Sequence, residues 1–255
     1  MTASCLLLGE NCKKYAEIER CDIDGAVACA LSIGADPRSP SLAFKGNKDS
    51  ANEDALFAAV GEGRVIMAVA DSHFGQWASH AMIAGLYDRY RDLTSFTSIY
   101  RVFEGICDAQ HNFMEPSETT LALVSVDIAT GKGIGVSFGD SSVLLIDAAG
   151  VSRRNLKNGS YVSPNRASSL DASAADEFEF TAKKGAVLML FTDGVDECHY
   201  GHPETSIQDR HIFDLYRQHP DKPVAFVSAL ATLSLAGAEG NPGGQDNLAI
   251  AAALL

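Results

Sequence analysis

Four aspartates, Asp54, Asp71, Asp193 and Asp246, each stand where an apolar run meets a turn-like stretch, in the segments NEDALF, VIMAVADSHFG, VLMLFTDGVDE and GGQDNLAIAAALL. One aspartate followed by glycine at a strand end is ordinary turn chemistry. Recurrence at four junctions points instead to a single multi-carboxylate metal centre assembled from across the chain. Two unit charges about 4 Å apart repel by roughly 4 kcal/mol at an effective dielectric of about 20, so strands rarely deliver several carboxylates to one place without a cation to meet them. Oxygen donors, with no Cys or His repeated at zinc spacing, select Mg²⁺ or Mn²⁺.

Periodicity supplies the elements that must position these acids. Residues 1–40 carry apolar stretches at SCLLLG and GAVACALSIG and close on the breaker-rich DPRSP, which reads as an N-terminal extension of one or two strands laid onto the main domain. A glycine- and charge-rich loop then leads into DALFAAV, and the GEGR turn joins that strand to VIMAVAD. From Gln76 to Leu93 the apolar residues Ala78, Met82, Ile83, Leu86 and Tyr90 recur at helical spacing, and a second helix is predicted over Ser98–Phe113. TTLALVSVDI, GIGVSFGDS and SVLLIDAAG read as a meander whose short turns imply antiparallel pairing. Residues 151–183 are polar and irregular, a flap-like excursion carrying the densest basic cluster, Arg153, Arg154, Lys157 and Arg166, which reads as a solvated face. The strand AVLMLF, a helical stretch near Lys222–Ala236 and a final strand complete the chain. Helix pairs alternating with groups of strands predict an α+β architecture with stacked sheets and helices outside them.

At 255 residues the chain fits a single domain spanning 1–255. Its formal net charge of −13 provides no electrostatic footprint for nucleic acid or an anionic membrane. No apolar run reaches 18 residues, and residues 1–20 lack the basic start and apolar core of an export signal, so a soluble, cytoplasmic protein is expected. The six cysteines form no CxxC pair, and reduced thiols are expected.

From Phe44 to Leu255 the motifs NEDAL, VADSHFG, TTLALV, FGDSS, FTDGVDE and GGQDN occur in the order found in the metal-dependent serine/threonine protein phosphatases of the PP2C type, the PPM family, and the chain resembles a divergent bacterial member of it. The resemblance implies a four-layer α-β-β-α sandwich of two antiparallel sheets flanked by helix pairs, with two Mg²⁺ or Mn²⁺ ions at one end. Asp54 and Asp71 would bind or bridge the ions, Ser72 would offer its carbonyl, and Asp193 and Asp246 would complete one shell. Glu53 would hold water beside the ions, and Asp140 with Asp193 would hold a looser third. His73, as the histidine found in many members, would protonate the departing Ser or Thr oxygen. The implied partners are a phosphorylated protein and a cognate Ser/Thr kinase.

The chain departs from the family pattern at several places. Asp49 stands where the family carries its phosphate-binding arginine, and Lys48 beside it is the candidate substrate phosphate-binding group, a point charge without the arginine fork. Ser72 and Phe74 replace two loop glycines, and Ser142 and Ala249 replace an Arg and a Thr. Hydrolysis of phosphoserine and phosphothreonine in proteins is therefore the leading expectation. A non-catalytic phosphoprotein-binding or kinase-regulating member, or a hydrolase of small phosphoesters, are the alternatives.

Overall fold

The computed structural model describes residues 3–39, 41–42, 52–110, 112–114, 117–165 and 172–255. One antiparallel sheet contains β1 (Ala3–Leu8), β4 (Asp54–Gly61), β5 (Arg64–His73), β7 (Leu121–Asp127), β8 (Lys132–Phe138) and β11 (Asp176–Thr181), in that order, with the two-residue β6 (Glu118–Thr119) beside the end of β5. The other runs β10 (Gly150–Arg153), β9 (Ser142–Asp147), β12 (Val187–Phe191), β13 (Leu248–Leu254), β3 (Val27–Ser32) and β2 (Glu19–Ile23). Helices α1 (Trp77–Asp88) and α2 (Phe96–Gln110) pair outside the first sheet, and α3 (Asp209–Gln218) and α4 (Pro223–Ala236) outside the second. This is the expected four-layer α+β sandwich.

The central strands are buried on both faces, which is why they read as unbroken apolar runs rather than alternating ones. Leu56, Ala58, Met67 and Val69 meet Leu31, Leu188, Leu190 and Ala251 between the sheets. Their neighbours Phe57, Ile66 and Ala68 face Met82, Leu86 and Phe103 of the first helix pair. On the far side Met189, Phe191 and Ile250 pack against Phe226 and Leu230.

The β4–β5 hairpin turns on Glu62 and Gly63, both at positive φ (53° and 75°). That is the primed two-residue turn whose twist matches the strands it joins, so it sets the register. Gly61 pairs with Arg64, and stepping outward the same register sets Asp54 directly opposite Asp71.

Several elements differ from the sequence reading. Residues 3–32 supply three strands, not one or two, and β3 lies fully buried beside β13. The meander breaks after β8: Gly139, at φ 81°, turns the chain across to the other sheet, where β9 pairs with β10 and β12. Helix α3 has no counterpart in the sequence reading, because only Ile212 and Tyr216 of its ten residues are buried and the rest are mostly charged or polar. Within 151–183, strands β10 and β11 edge the two sheets, and between them the Asn158 amide donates to the Gly139 carbonyl and Val162 bridges Thr119. Cys5 and Cys21 form a disulfide between β1 and β2, joining edge strands of different sheets. The expectation of reduced thiols rests on the absence of a CxxC pair, and it fails for these two because sequence spacing does not reveal that two edge strands meet. No helix among the described residues is long and apolar enough to cross a membrane.

Candidate functional site

The opposed pair comes first. Asp54 is fully buried and Asp71 nearly so, and like charges directly opposite on adjacent strands destabilise a sheet. The surrounding residues hold both in place. The Thr192 hydroxyl, at the end of β12, donates to Asp54 Oδ2 at 2.6 Å and accepts from the Ala249 amide at 2.9 Å, clipping the second sheet onto the first. Asp71 is fixed through its backbone: its amide donates to Thr120 Oγ1, and its carbonyl accepts from the Thr120 amide and the Thr119 hydroxyl.

Glu53 and Ser72 extend this core. Glu53 Oε1 accepts from the Gly75 amide at 2.7 Å, and the Glu53 amide donates to Asn247 Oδ1 at 2.8 Å. Asn247 in turn donates its backbone amide to Asp246 Oδ1 and its side-chain amide to the Ile33 carbonyl. Ser72, in place of a family glycine, is buried and accepts the Ser79 amide in the first turn of α1, so its hydroxyl satisfies one of the open donors at the helix start.

Asp193 and Asp246 lie at the same end of the second sheet because β12 ends where antiparallel β13 begins. At Gly194 the two backbones come so close that a Cβ would collide with the Asn247 carbonyl, which accounts for the glycine after Asp193. Asp140 reaches the same end through the sheet-changing turn, whose Ser141 hydroxyl bonds Thr120 and whose Ser141 carbonyl accepts from Asn155. Tyr161 lies within electrostatic reach of several acids at this end. Burial first, then the charges of Asp140, Glu118, Asp193 and Asp71, pushes its phenol above the ordinary range.

His73 ends β5 opposite Glu118, with Nδ1 3.4 Å from Glu118 Oε1 and its ring 4.8 Å from that of Tyr161. Lys48, together with Lys45, Asp49 and Arg166, lies outside the described residues.

Sequence reasoning missed Asp196. It sits three residues past Asp193, bonded to Lys157 Nζ at 3.0 Å and 3.6 Å from Arg153 Nη2, so two members of the basic cluster, both exposed as expected, also pair with a less accessible acid. Burial raises its carboxyl pKa despite both cations. These side chains line a cavity of about 600 Å³ with Glu197, Ile207 and Arg210. The sequence signal was the second acid of TDGVDE, which resembles turn chemistry until its partners are known. Thr192 and Asn247 were also missed, though each is the immediate neighbour of a predicted ligand.

Among the described residues no three His, Cys, Asp or Glu side chains close on a common point that could hold a metal. The arrangement is an acidic rim built around one opposed pair. Its donor chemistry fits a hard divalent cation: the donors are carboxylate and carbonyl oxygens, and Asp54 and Asp71 are buried with like charges in register.

The family model of Stage II sporulation protein E (SpoIIE) matches residues 88–253. Among solved structures, the catalytic domain of the serine/threonine protein phosphatase PstP with two manganese ions is 18% identical at a TM-score of 0.63, covering 89% of this chain and 96% of that one. RsbX in complex with magnesium is 14% identical at 0.62, covering 94% and 100%. The PPM Ser-Thr phosphatase MsPP from Mycobacterium smegmatis, in complex with cacodylate, is 18% identical at 0.60, covering 90% and 98%. At these identities the likeness is one of fold. No curated protein sequence matches the chain.

Proposed function

The chain belongs to the SpoIIE family, and from that premise we propose that it hydrolyses phosphoserine and phosphothreonine in proteins with the help of Mn²⁺ or Mg²⁺. One observation carries the reading: Asp54 and Asp71 are buried and directly opposed, an arrangement that a divalent cation stabilises. In this reading Asp54, Asp71, the Ser72 carbonyl, Asp193 and Asp246 hold two ions, and Asp140 with Asp193 holds a looser third. Cations bound there would lower the pKa of a water and neutralise phosphoryl oxygens. Glu53 orients water at the rim, its own carboxylate fixed by the Gly75 amide. His73, oriented by Glu118 and the Tyr161 ring, gives a proton to the departing Ser or Thr oxygen. Lys48 anchors the phosphate, and a Ser/Thr kinase acting on the same protein supplies the substrate.

The test is phosphate release from a phosphothreonine peptide with Mn²⁺. It should vanish in excess chelator and fall at least about a hundredfold in Asp193→Asn, since outer-shell changes alone reach that range. Undiminished activity in chelator refutes metal dependence, and a strong preference for a metabolite over every phosphopeptide points to small phosphoesters. A raised KM for Lys48→Ala identifies the anchor. A non-catalytic phosphoprotein-binding or kinase-regulating role is the second reading, favoured by Asp49 at the arginine position and by carboxylates that do not close on one point. Saturable phosphopeptide binding without turnover would select it.

A further inference from the structure

Phe74 follows His73 directly. Its side chain is 75% exposed, and its backbone lies at φ 64°, a left-handed conformation that bulky residues rarely adopt. The other non-glycine residues at positive φ are Ala16, Asp24, Glu62 and Glu239, so Phe74 is the one aromatic among the described residues held this way. The backbone on either side is pinned: the Gly75 amide donates to Glu53, and the Ser117 hydroxyl reaches the His73 carbonyl at 3.5 Å and the Gly75 carbonyl at 3.3 Å. Glycine would adopt this conformation without strain. A phenylalanine here loses stability in the backbone and recovers little through packing, a combination that belongs to functional sites more than to scaffolds.

Its surroundings indicate what the ring meets. The Phe74 and His73 rings lie 6.2 Å apart at 73°, and His73 lies 4.8 Å from Tyr161, so the His73 ring neighbours both of the other two beside the acidic rim. Residues i and i+2 of an extended peptide are separated by roughly 6.6 Å, close to the His73–Phe74 spacing. A phosphoresidue whose oxygen lies at His73 therefore has its same-face side chain two positions away at a distance that matches Phe74 when the peptide runs from one ring toward the other.

We infer that Phe74 is a specificity-determining residue that receives a large apolar side chain two positions from the phosphoserine or phosphothreonine of a protein substrate. This rests on the phosphatase reading and narrows its substrate to phosphoprotein segments with an apolar neighbour. The occupant follows from continuity: Phe74 is bonded to the proposed proton donor, and the other two rings lead from it to the carboxylates.

The experiment uses two fluorescent phosphoserine peptides, identical except for Leu or Ala at both positions two residues from the phosphoserine. They are assayed with Mn²⁺ on the unchanged protein, Phe74→Gly and Phe74→Leu. The unchanged protein should prefer the Leu peptide about tenfold in kcat/KM, mainly through KM, in line with the discrimination a single apolar contact supplies. Phe74→Gly should lose the preference and melt at a higher temperature, whereas Phe74→Leu should retain it. Equal kcat/KM on the unchanged protein, or a preference surviving in Phe74→Gly, overturns the inference while leaving the phosphatase reading intact. If the unchanged protein hydrolyses neither peptide, the phosphatase reading fails, and fluorescence anisotropy on the same peptides decides the remaining question. Tighter binding of the Leu peptide that is lost in Phe74→Gly supports the aromatic contact. Equal affinities or no binding overturn it.

Discussion

Replacing Asp54 with Asn should stabilise the protein without metal and remove most of its stabilisation by metal. The register of β4 and β5 sets Asp54 opposite Asp71, and Cβ atoms of such pairs lie about 4.5–5.5 Å apart. At about 5 Å and an effective dielectric of about 20 the repulsion is roughly 3 kcal/mol. Asparagine removes that charge while keeping the shape and an oxygen for the Thr192 hydroxyl. For a chain of this size each kcal/mol shifts Tm by about 2–4 °C, so Asp54→Asn in EDTA should melt about 6–12 °C above the unchanged protein. With Mn²⁺ at a hundred times its Kd, the unchanged protein should gain about 2.7 kcal/mol. The variant should gain far less, so the gap narrows or reverses. Thermal melts in EDTA and across a Mn²⁺ titration read both effects. A metal-free Tm at or below that of the unchanged protein refutes the buried like-charge pair, and an equal Mn²⁺ shift refutes the role of Asp54 as a ligand.

Thr192→Val should act in the opposite sense, because it removes a hydroxyl that bonds a buried carboxylate. A loss of about 1.5–3 kcal/mol is expected, measured by denaturant midpoint in EDTA. Reducing the Cys5–Cys21 bond frees a 16-residue separation, worth about 3 kcal/mol in chain entropy. Tm should therefore fall by about 6–12 °C with a thiol reductant, with no further fall in a Cys5→Ser, Cys21→Ser variant. His80 accepts the Gly9 amide through Nε2, and burial holds its pKa below the ordinary value, with Glu10 opposing. The unfolded chain then binds the proton first, so stability is full above about pH 6.5 and falls as pH drops below it. Denaturant melts between pH 7.5 and 5.5 should show a flatter acid limb for His80→Gln.

Where signals were local, the sequence was enough. The Glu62–Gly63 turn encodes the hairpin, and the hairpin encodes the register that opposes Asp54 to Asp71. Where the outcome depends on partners far along the chain, it was not. A short turn at Gly139–Ser141 looks the same whether the chain folds back or changes sheets, and only the bonds of Ser141 to Thr120 and Asn155 distinguish them. Asp196 was ambiguous for the same reason, since Lys157 is 39 residues away.

The placement of the acidic rim follows from burial more than from any single motif. A strand covered on both faces has no room for charge in its middle, so its carboxylates are confined to its ends. β4 begins at Asp54, and β5, running back antiparallel, carries Asp71 close to its own end, so both acids sit at the same end of one sheet. β12 runs out into Asp193 and β13 starts just past Asp246, which places that pair at a common end of the other sheet. The Thr192–Asp54 and Glu53–Asn247 bonds join those two ends to each other. Four acids scattered over the sequence thus share one end of the sandwich, without closing on a common point, because antiparallel neighbours bring one strand's start beside the next strand's end.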